Sequence, residues 1–357
     1  MSKFLSNKLI IINFVLSTMI ISYHAYNIPV YESSLKGAFL GKIIIFLENY
    51  LSMMERVAVP LFFVISGYLF FQNYNKSMAL KKIKSRIISL GIPYIIWNAI
   101  SWSLYAVLTN IVPFKNIVNM PKVKIEILTA MCEIFLGKYN ALWFVRVLLF
   151  FIVVSPLIYF VIRKEKRGIL FLIVIILIEG LCKGGEFSLL YCSLFYFFGA
   201  VVALNFKNLV LYRVKNIYSI ISMIVFCLLN FAIYSSFKDC PFIIRQIFLL
   251  INCILFWISF DLFLQTKVSK FMEKQWWVGI SFFIYCSHGF ILECMEKIIL
   301  LLLKNSLFGA IVDYVVAPTL TLFIIFIVAF SLQKYCFSLW NILVGGRSKY
   351  DRQKKII

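Results

Sequence analysis

The sequence predicts an all-α fold, a polytopic membrane bundle of about ten transmembrane helices, and three observations point to it. Of 357 residues, 62% are hydrophobic and only 14% charged, where an ordinary soluble domain carries roughly 25%. Mean hydropathy is +0.94. Apolar runs of the roughly 20 residues needed to cross a bilayer recur along the whole chain.

Taken in order, the first helix is expected near 9–27, behind Lys3 and Lys8, with the N-terminus in the cytoplasm. It is read as a span and not a signal peptide, because His24 stands where small residues would mark cleavage. The second is expected near 57–73, and the semi-apolar stretch from Gly41 to Met54 either extends it or lies flat at the outer surface. Lys76, Lys81, Lys82, Lys84 and Arg86 then form a basic cytoplasmic segment ahead of the third, near 87–110. A polar stretch around Pro113 to Tyr139 leads to the fourth, near 141–162, which ends on the basic run Arg163 to Arg167. The fifth and sixth, near 169–182 and 189–205, lead to Arg213 and Lys215. The seventh and eighth, near 217–236 and 243–264, end before Lys267, Lys270 and Lys274, and the ninth and tenth are expected near 278–300 and 311–333. An even count returns the C-terminus to the cytoplasm, so residues 1–345 read as one membrane domain and 346–357 as a basic cytoplasmic tail.

Charge follows the same pattern. The 36 Lys plus Arg against 15 Asp plus Glu would suit a nucleic-acid partner, but every cytoplasmic segment is basic, as the positive-inside rule requires. The expected partners therefore include membrane lipids and exclude nucleic acid. Nine cysteines lie mostly within spans without paired or metal-ligand spacing, so neither a disulfide framework nor a metal is expected.

Function is sought among ionisable groups inside the membrane, which are costly enough to mark polar cavities or partners. His24, one of two histidines, lies about 24 Å along its helix from Lys8, toward the outer face. Arg56 opens the second span and Arg146 stands in the first turns of the fourth, at the same depth. Helical phase gathers Asn13, Ser17 and His24 into one stripe, Ser281, Tyr285 and His288 into another, and Tyr139, Trp143 and Arg146 into a third. Ser17 and Ser281 read most simply as helix-packing contacts. An imidazole, in contrast, takes and returns a proton near neutral pH, which packing does not need.

The run "RVAVPLFFVISGYLFF", from Arg56 to Phe71 and including Ser66 and Gly67, resembles the second-helix signature of the acyltransferase 3 family of integral-membrane acyltransferases. Three more stations follow in order: "KKIKSRIISLGIPYIIWN" from Lys81 to Asn98, "LWFVRVLLFFIVVSPL" from Leu142 to Leu157, and "SFFIYCSH" from Ser281 to His288. The resemblance implies transfer of an acyl group, usually acetyl, from cytoplasmic acyl-CoA to a hydroxyl of a carbohydrate or lipid-linked carbohydrate. It also implies a bacterial-type inner membrane and a catalytic first-helix histidine, which His24 matches. The family usually carries an arginine eleven residues before that histidine, and Asn13 stands there. In that frame His24 is the expected base, with covalent carriage of the acyl group on the same imidazole as the alternative, and Arg56 is the expected oxyanion-stabilising cation, with Arg146 second. Trp143, Tyr285, His288, Asn13, Ser66 and Gly67 are the expected substrate-binding set, Gly67 either leaving room for the acyl-pantetheine arm or serving close packing. Lys82, Lys84 and Arg86 are expected either to hold the donor's phosphates or simply to retain positive charge on the cytoplasmic side. The competing class is a transporter or flippase of lipid-linked sugars, which would show an internal repeat and Gly/Pro-broken helices in matching halves; neither is evident in the sequence.

Overall fold

The computed structural model describes residues 2–111, 122–181, 188–237 and 239–347. Among these residues the protein is all helical. The helices are α1 (Lys3–His24), α2 (Ile28–Lys36), α3 (Phe39–Glu55), α4 (Ala58–Phe71), α5 (Ala79–Arg86), α6 (Ile92–Asn110), α7 (Ile127–Leu136), α8 (Trp143–Ile162) and α9 (Glu165–Leu181). They continue as α10 (Leu189–Asn205), α11 (Asn208–Leu211), α12 (Asn216–Ile233), α13 (Phe242–Phe263), α14 (Lys267–Met272), α15 (Ser281–Leu303), α16 (Leu307–Tyr335) and α17 (Phe337–Leu343).

All ten expected spans are helical. Seven stretches among the described residues are long and apolar enough to cross a membrane, the first being α1 and the last α16. The other three expected spans are α9 and α10, each 17 residues, and α15, whose second half carries Glu293, Glu296 and Lys297. The protein is a multi-pass membrane protein. The stretch from Gly41 to Met54 is helical: α3 and α4 together make up an apolar stretch, Phe39–Phe71, interrupted by a turn at Arg56 and Val57. Within the stretch read as a polar loop lies α7, where Ile127, Leu128, Met131 and Phe135 recur at helical spacing and stay exposed. Of the basic tail at 346–357, residues 348–357 lie outside the described residues.

The chain divides into two compact units. The first comprises 1–16, 53–86 and 147–278. Here α4 and α10 touch backbone to backbone: a methyl on Gly67 would sit 1.9 Å from the Tyr196 carbonyl oxygen, and one on Gly199 2.0 Å from that of Val64. Small residues are what permits such closeness between membrane helices. Polar hooks tie the rest. Lys8 of α1 donates to Asp261 of α13 at 2.6 Å, both 1% exposed, and Asn230 of α12 donates to Asn252 of α13 at 2.7 Å. Glu179 of α9 accepts from Gln246 of α13 and from Ser188.

The second unit comprises 17–52, 87–146 and 279–357. Asn27 donates to the Ala310 carbonyl at 3.1 Å and to Asp313 at 3.2 Å, fastening the turn after α1 to α16. Pro93 has no N–H to offer the Ser89 carbonyl, and the chain opens there into a five-residue π turn, 87–91. Gly345, at φ +63°, packs its α-carbon against that same carbonyl, where a side chain would fall at 1.9 Å. Trp97 donates to Leu343 at 3.2 Å, holding α17 on α6.

Candidate active site

In the second unit the structure brings together His24, His288 and Tyr285. His24 is the last residue of α1, because Pro29 at the start of α2 forces the chain to turn. Its imidazole is exposed, whereas that of His288, in the middle of α15, is completely buried. The ring centroids lie 5.4 Å apart at 39°. His288 Nδ1 lies 2.8 Å from the Tyr285 carbonyl oxygen, which can only accept, so the neutral ring carries its proton on Nδ1 and keeps a lone pair on Nε2. That Nε2 is buried and has no hydrogen-bond partner among the described residues. An exposed imidazole is thus backed by a second one offering an unused acceptor.

The support behind this pair was not anticipated from the sequence. The Tyr285 hydroxyl donates to the Ala141 carbonyl at 2.6 Å, and Phe144 meets the Tyr285 ring edge-on at 5.8 Å. Asn140 donates to Ser101 at 2.9 Å and to the Cys286 carbonyl at 3.3 Å. The turn ahead of α8 therefore clamps the stretch of α15 that carries His288. The only signal in the sequence was a lone asparagine just before an apolar run. Ser17 donates to the Ser281 carbonyl at 3.2 Å, the packing contact expected of it.

Arg146 is exposed in the first turn of α8. Its Nη1 donates to the Leu136 carbonyl at 2.5 Å, the Tyr94 hydroxyl donates to Phe135 at 2.8 Å, and Gly137 takes a left-handed φ of +67°. Together they satisfy the orphan carbonyls at the C-terminus of α7. The expected stripe of Tyr139, Trp143 and Arg146 is corrected accordingly. The helix begins only at Trp143, half-buried, and Tyr139 lies in the preceding turn against Tyr105, ring centroids 5.6 Å apart. Outside the spans, Glu133 of α7 is pushed up by burial, but hydrogen bonds from Lys138 and Trp102 outweigh this and hold its carboxyl below the usual range. Lys138, 2.5 Å away, is raised by the same bond.

The remaining expected residues fall in the first unit. Asn13 is half-buried on α1. Arg56, at the turn between α3 and α4, holds its guanidinium 4.8 Å from the Phe237 ring, and Arg245 shares that ring at 5.9 Å and Phe242 at 5.1 Å. Ser66 is half-buried on α4. At Gly67 the space a side chain would fill is taken by Tyr196, so close packing, not room for a substrate arm, accounts for this glycine. Lys82 donates to the carbonyls of Phe70 and Gln72 at 2.8 and 2.7 Å, closing the C-terminus of α4. It shares a face of α5 with Arg86 at i, i+4, whereas exposed Lys84 points elsewhere.

Comparison with known proteins agrees with this architecture. A family described as an acyltransferase domain matches residues 9–333. No curated protein and no solved structure matches the chain.

Proposed function

The chain belongs to the acyltransferase 3 family, and on that premise we propose that it is an O-acyltransferase in which His24 is the general base. The donor in this reading is an acyl-CoA, acetyl-CoA foremost. The acceptor is a hydroxyl of a surface polysaccharide or its lipid-linked precursor, and the setting a bacterial-type inner membrane with both termini in the cytoplasm. Residues 1–345 act as one catalytic domain.

The observation that carries the reading is the exposed His24 backed by His288 in a fixed tautomer. A sugar hydroxyl attacks a thioester well only if its proton leaves as the new bond forms, an effect worth roughly 10²–10⁴-fold. His24 accepts that proton, the alkoxide oxygen bonds to the thioester carbon, and the tetrahedral intermediate collapses with expulsion of the CoA thiolate, which takes the proton back. While His24 is charged, the lone pair on His288 Nε2 is the acceptor that steadies the imidazolium. Arg56 is assigned the developing oxyanion, where one well-placed donor is worth roughly 3–4 kcal/mol. Its support is the family-like run from Arg56 to Phe71. The phosphates of the donor are assigned to the Lys82–Arg86 face of α5.

The test is mass spectrometry of envelope glycans from cells with and without the gene, alongside acetyl-CoA consumption by the purified chain. The expected result is an acetyl-sized increment that disappears in His24→Ala, with Arg56→Ala also inactive and Arg56→Lys partly restored. An increment that persists in His24→Ala removes that residue from the mechanism. Sugar movement without acetyl-CoA consumption favours the flippase.

A further inference from the structure

The first unit holds a cavity of about 360 Å³ that the proposed transfer does not use. The volume lies at the low end of the roughly 300–1,000 Å³ typical of small-molecule sites. Leu9 of α1, Tyr68 of α4, Phe198 of α10 and Cys253 and Trp257 of α13 form its wall, closed by Val214 from the segment ahead of α12. Apart from one hydroxyl, the Cys253 thiol and the Trp257 indole N–H, these side chains are apolar. That hydroxyl belongs to Tyr68, 4% exposed, and it is buried with no hydrogen-bond partner among the described residues, whereas about nine in ten buried polar groups are paired.

Two further features bear on what fills the space. The wall is pinned: Lys8 Nζ stands 3.9 Å over the Trp257 ring and donates to the Trp257 carbonyl at 2.7 Å, while Asp261 accepts from Lys8 and from the Val214 N–H at 2.9 Å. The segment that closes it is cationic. Lining residues Leu209, Val210 and Val214 alternate with Lys207, Arg213 and Lys215. Arg213 and Lys215 are exposed, and Lys207 is half-buried and donates to Asn73. The one buried carboxylate beside them, Asp261, is already neutralised by Lys8.

We propose that this cavity holds one acyl chain of an anionic phospholipid, its ester carbonyl accepting from the Tyr68 hydroxyl and its phosphate resting on Lys207, Arg213 and Lys215. The chemistry separates this occupant from the acyl donor. A pantetheine arm carries two amides whose N–H groups need acceptors, and the wall offers donors in the Tyr68 hydroxyl and the Trp257 indole but only one hydroxyl oxygen as an acceptor of any strength, whereas a hydrocarbon chain asks for nothing but apolar surface. Basic residues at the cytoplasmic ends of membrane helices select anionic headgroups in the same way. The proposal stands apart from the transfer reaction and does not depend on His24.

The experiment is fluorescence quenching of the purified full chain by lipids with brominated acyl chains. The share due to Trp257 is obtained by subtracting the signal of Trp257→Phe. Brominated phosphatidylglycerol is expected to quench that share at a concentration on the order of tenfold lower than brominated phosphatidylcholine, the combined pull of three partly screened basic residues on one headgroup charge. The surface variant Lys207→Gln/Arg213→Gln/Lys215→Gln should erase the headgroup preference, and Tyr68→Phe should weaken binding of both lipids without altering the fold. Equal quenching by the two lipids in the unaltered chain overturns the proposal, as does a preference that survives the triple variant. Displacement of the brominated lipid by acetyl-CoA overturns it as well.

Discussion

Removal of Lys8 isolates the energetics of the first unit in one step. Its ammonium and the Asp261 carboxylate are both 1% exposed and 2.6 Å apart, and breaking such a buried pair from one side costs about 3–5 kcal/mol, because the remaining charge stays buried. In Lys8→Met, Asp261 keeps one donor, the Val214 N–H, which favours the lower half of that range. Loss of the ammonium from the Trp257 ring adds up to about 2 kcal/mol for a desolvated cation–π contact. The expected destabilisation is therefore about 3–6 kcal/mol. Asp261→Leu leaves the ammonium with only the Trp257 carbonyl and ring, and falls in the same range. The double variant Lys8→Met/Asp261→Leu removes both charges and strands only the Val214 N–H, at about 1–3 kcal/mol. Denaturant titration of the four proteins in mixed micelles, followed by near-UV circular dichroism, closes the cycle. Single variants costing under about 1 kcal/mol, or a double variant as costly as the sum of the singles, would refute the assignment of a coupled buried pair.

Four further outcomes are expected. Gly67→Ala and Gly199→Ala each drive a methyl into a backbone carbonyl and should lower folded yield by about 1–3 kcal/mol of overpacking, while Gly289→Ala, with open space around it, should stay within about 0.5 kcal/mol; thermal midpoints in detergent compare them. His288→Leu should slow transfer about 10–100-fold, the worth of one hydrogen bond to a charged group, and move the acid limb of the pH–rate profile, with His288→Gln, which restores an acceptor, recovering part of both. Arg146→Ala should loosen α7, seen as faster amide exchange at 127–136, yet leave transfer largely intact; loss of transfer with α7 undisturbed would return Arg146 to the substrate. Because the Glu133 carboxyl is held below its ordinary value, its contribution is present at neutral pH and fades as pH falls through that depressed value. Exchange in α7 should accordingly quicken in acid, by less than the roughly 1 kcal/mol of a partly exposed pair, and Glu133→Gln should abolish the dependence.

The positions of the ten helices were legible because membrane spans announce themselves by composition over about 20 residues, independent of their neighbours. That His24 and His288 each belong to a polar stripe could be read from their spacing, whereas the approach of their rings to 5.4 Å could not. What connects helices far apart in sequence was not legible. Lys8 and Asp261 are 253 residues apart, and Lys8 reads from sequence alone as one more cytoplasmic cation. Arg146 fits an expected stripe at i, i+3 and i, i+7, and only the turn at Gly137 and the resulting C-terminus of α7 turn it to a carbonyl. Gly67 poses the same difficulty in reverse: a missing side chain is equally compatible with a ligand and with a neighbouring backbone, and only the reciprocal approach of Gly199 to Val64 decides between them.

If His24 is the base proposed above, its proton balance bears on position 13, where the chain departs from the family pattern. The family's usual arginine eleven residues ahead of the histidine would add a permanent cation to α1, and Asn13 supplies a neutral donor and acceptor in its place. A cation on the same helix stripe raises the cost of charging an imidazole, and an amide does not. Restoring it therefore carries a signed expectation: Asn13→Arg should shift the acid limb of the pH–rate profile to lower pH, since the base then gives up its proton more readily. The rate at saturating donor and neutral pH reads the other half. A rise there would mean the arginine assists the chemistry itself, and an unchanged rate with an unshifted limb would place position 13 outside the electrostatic reach of His24.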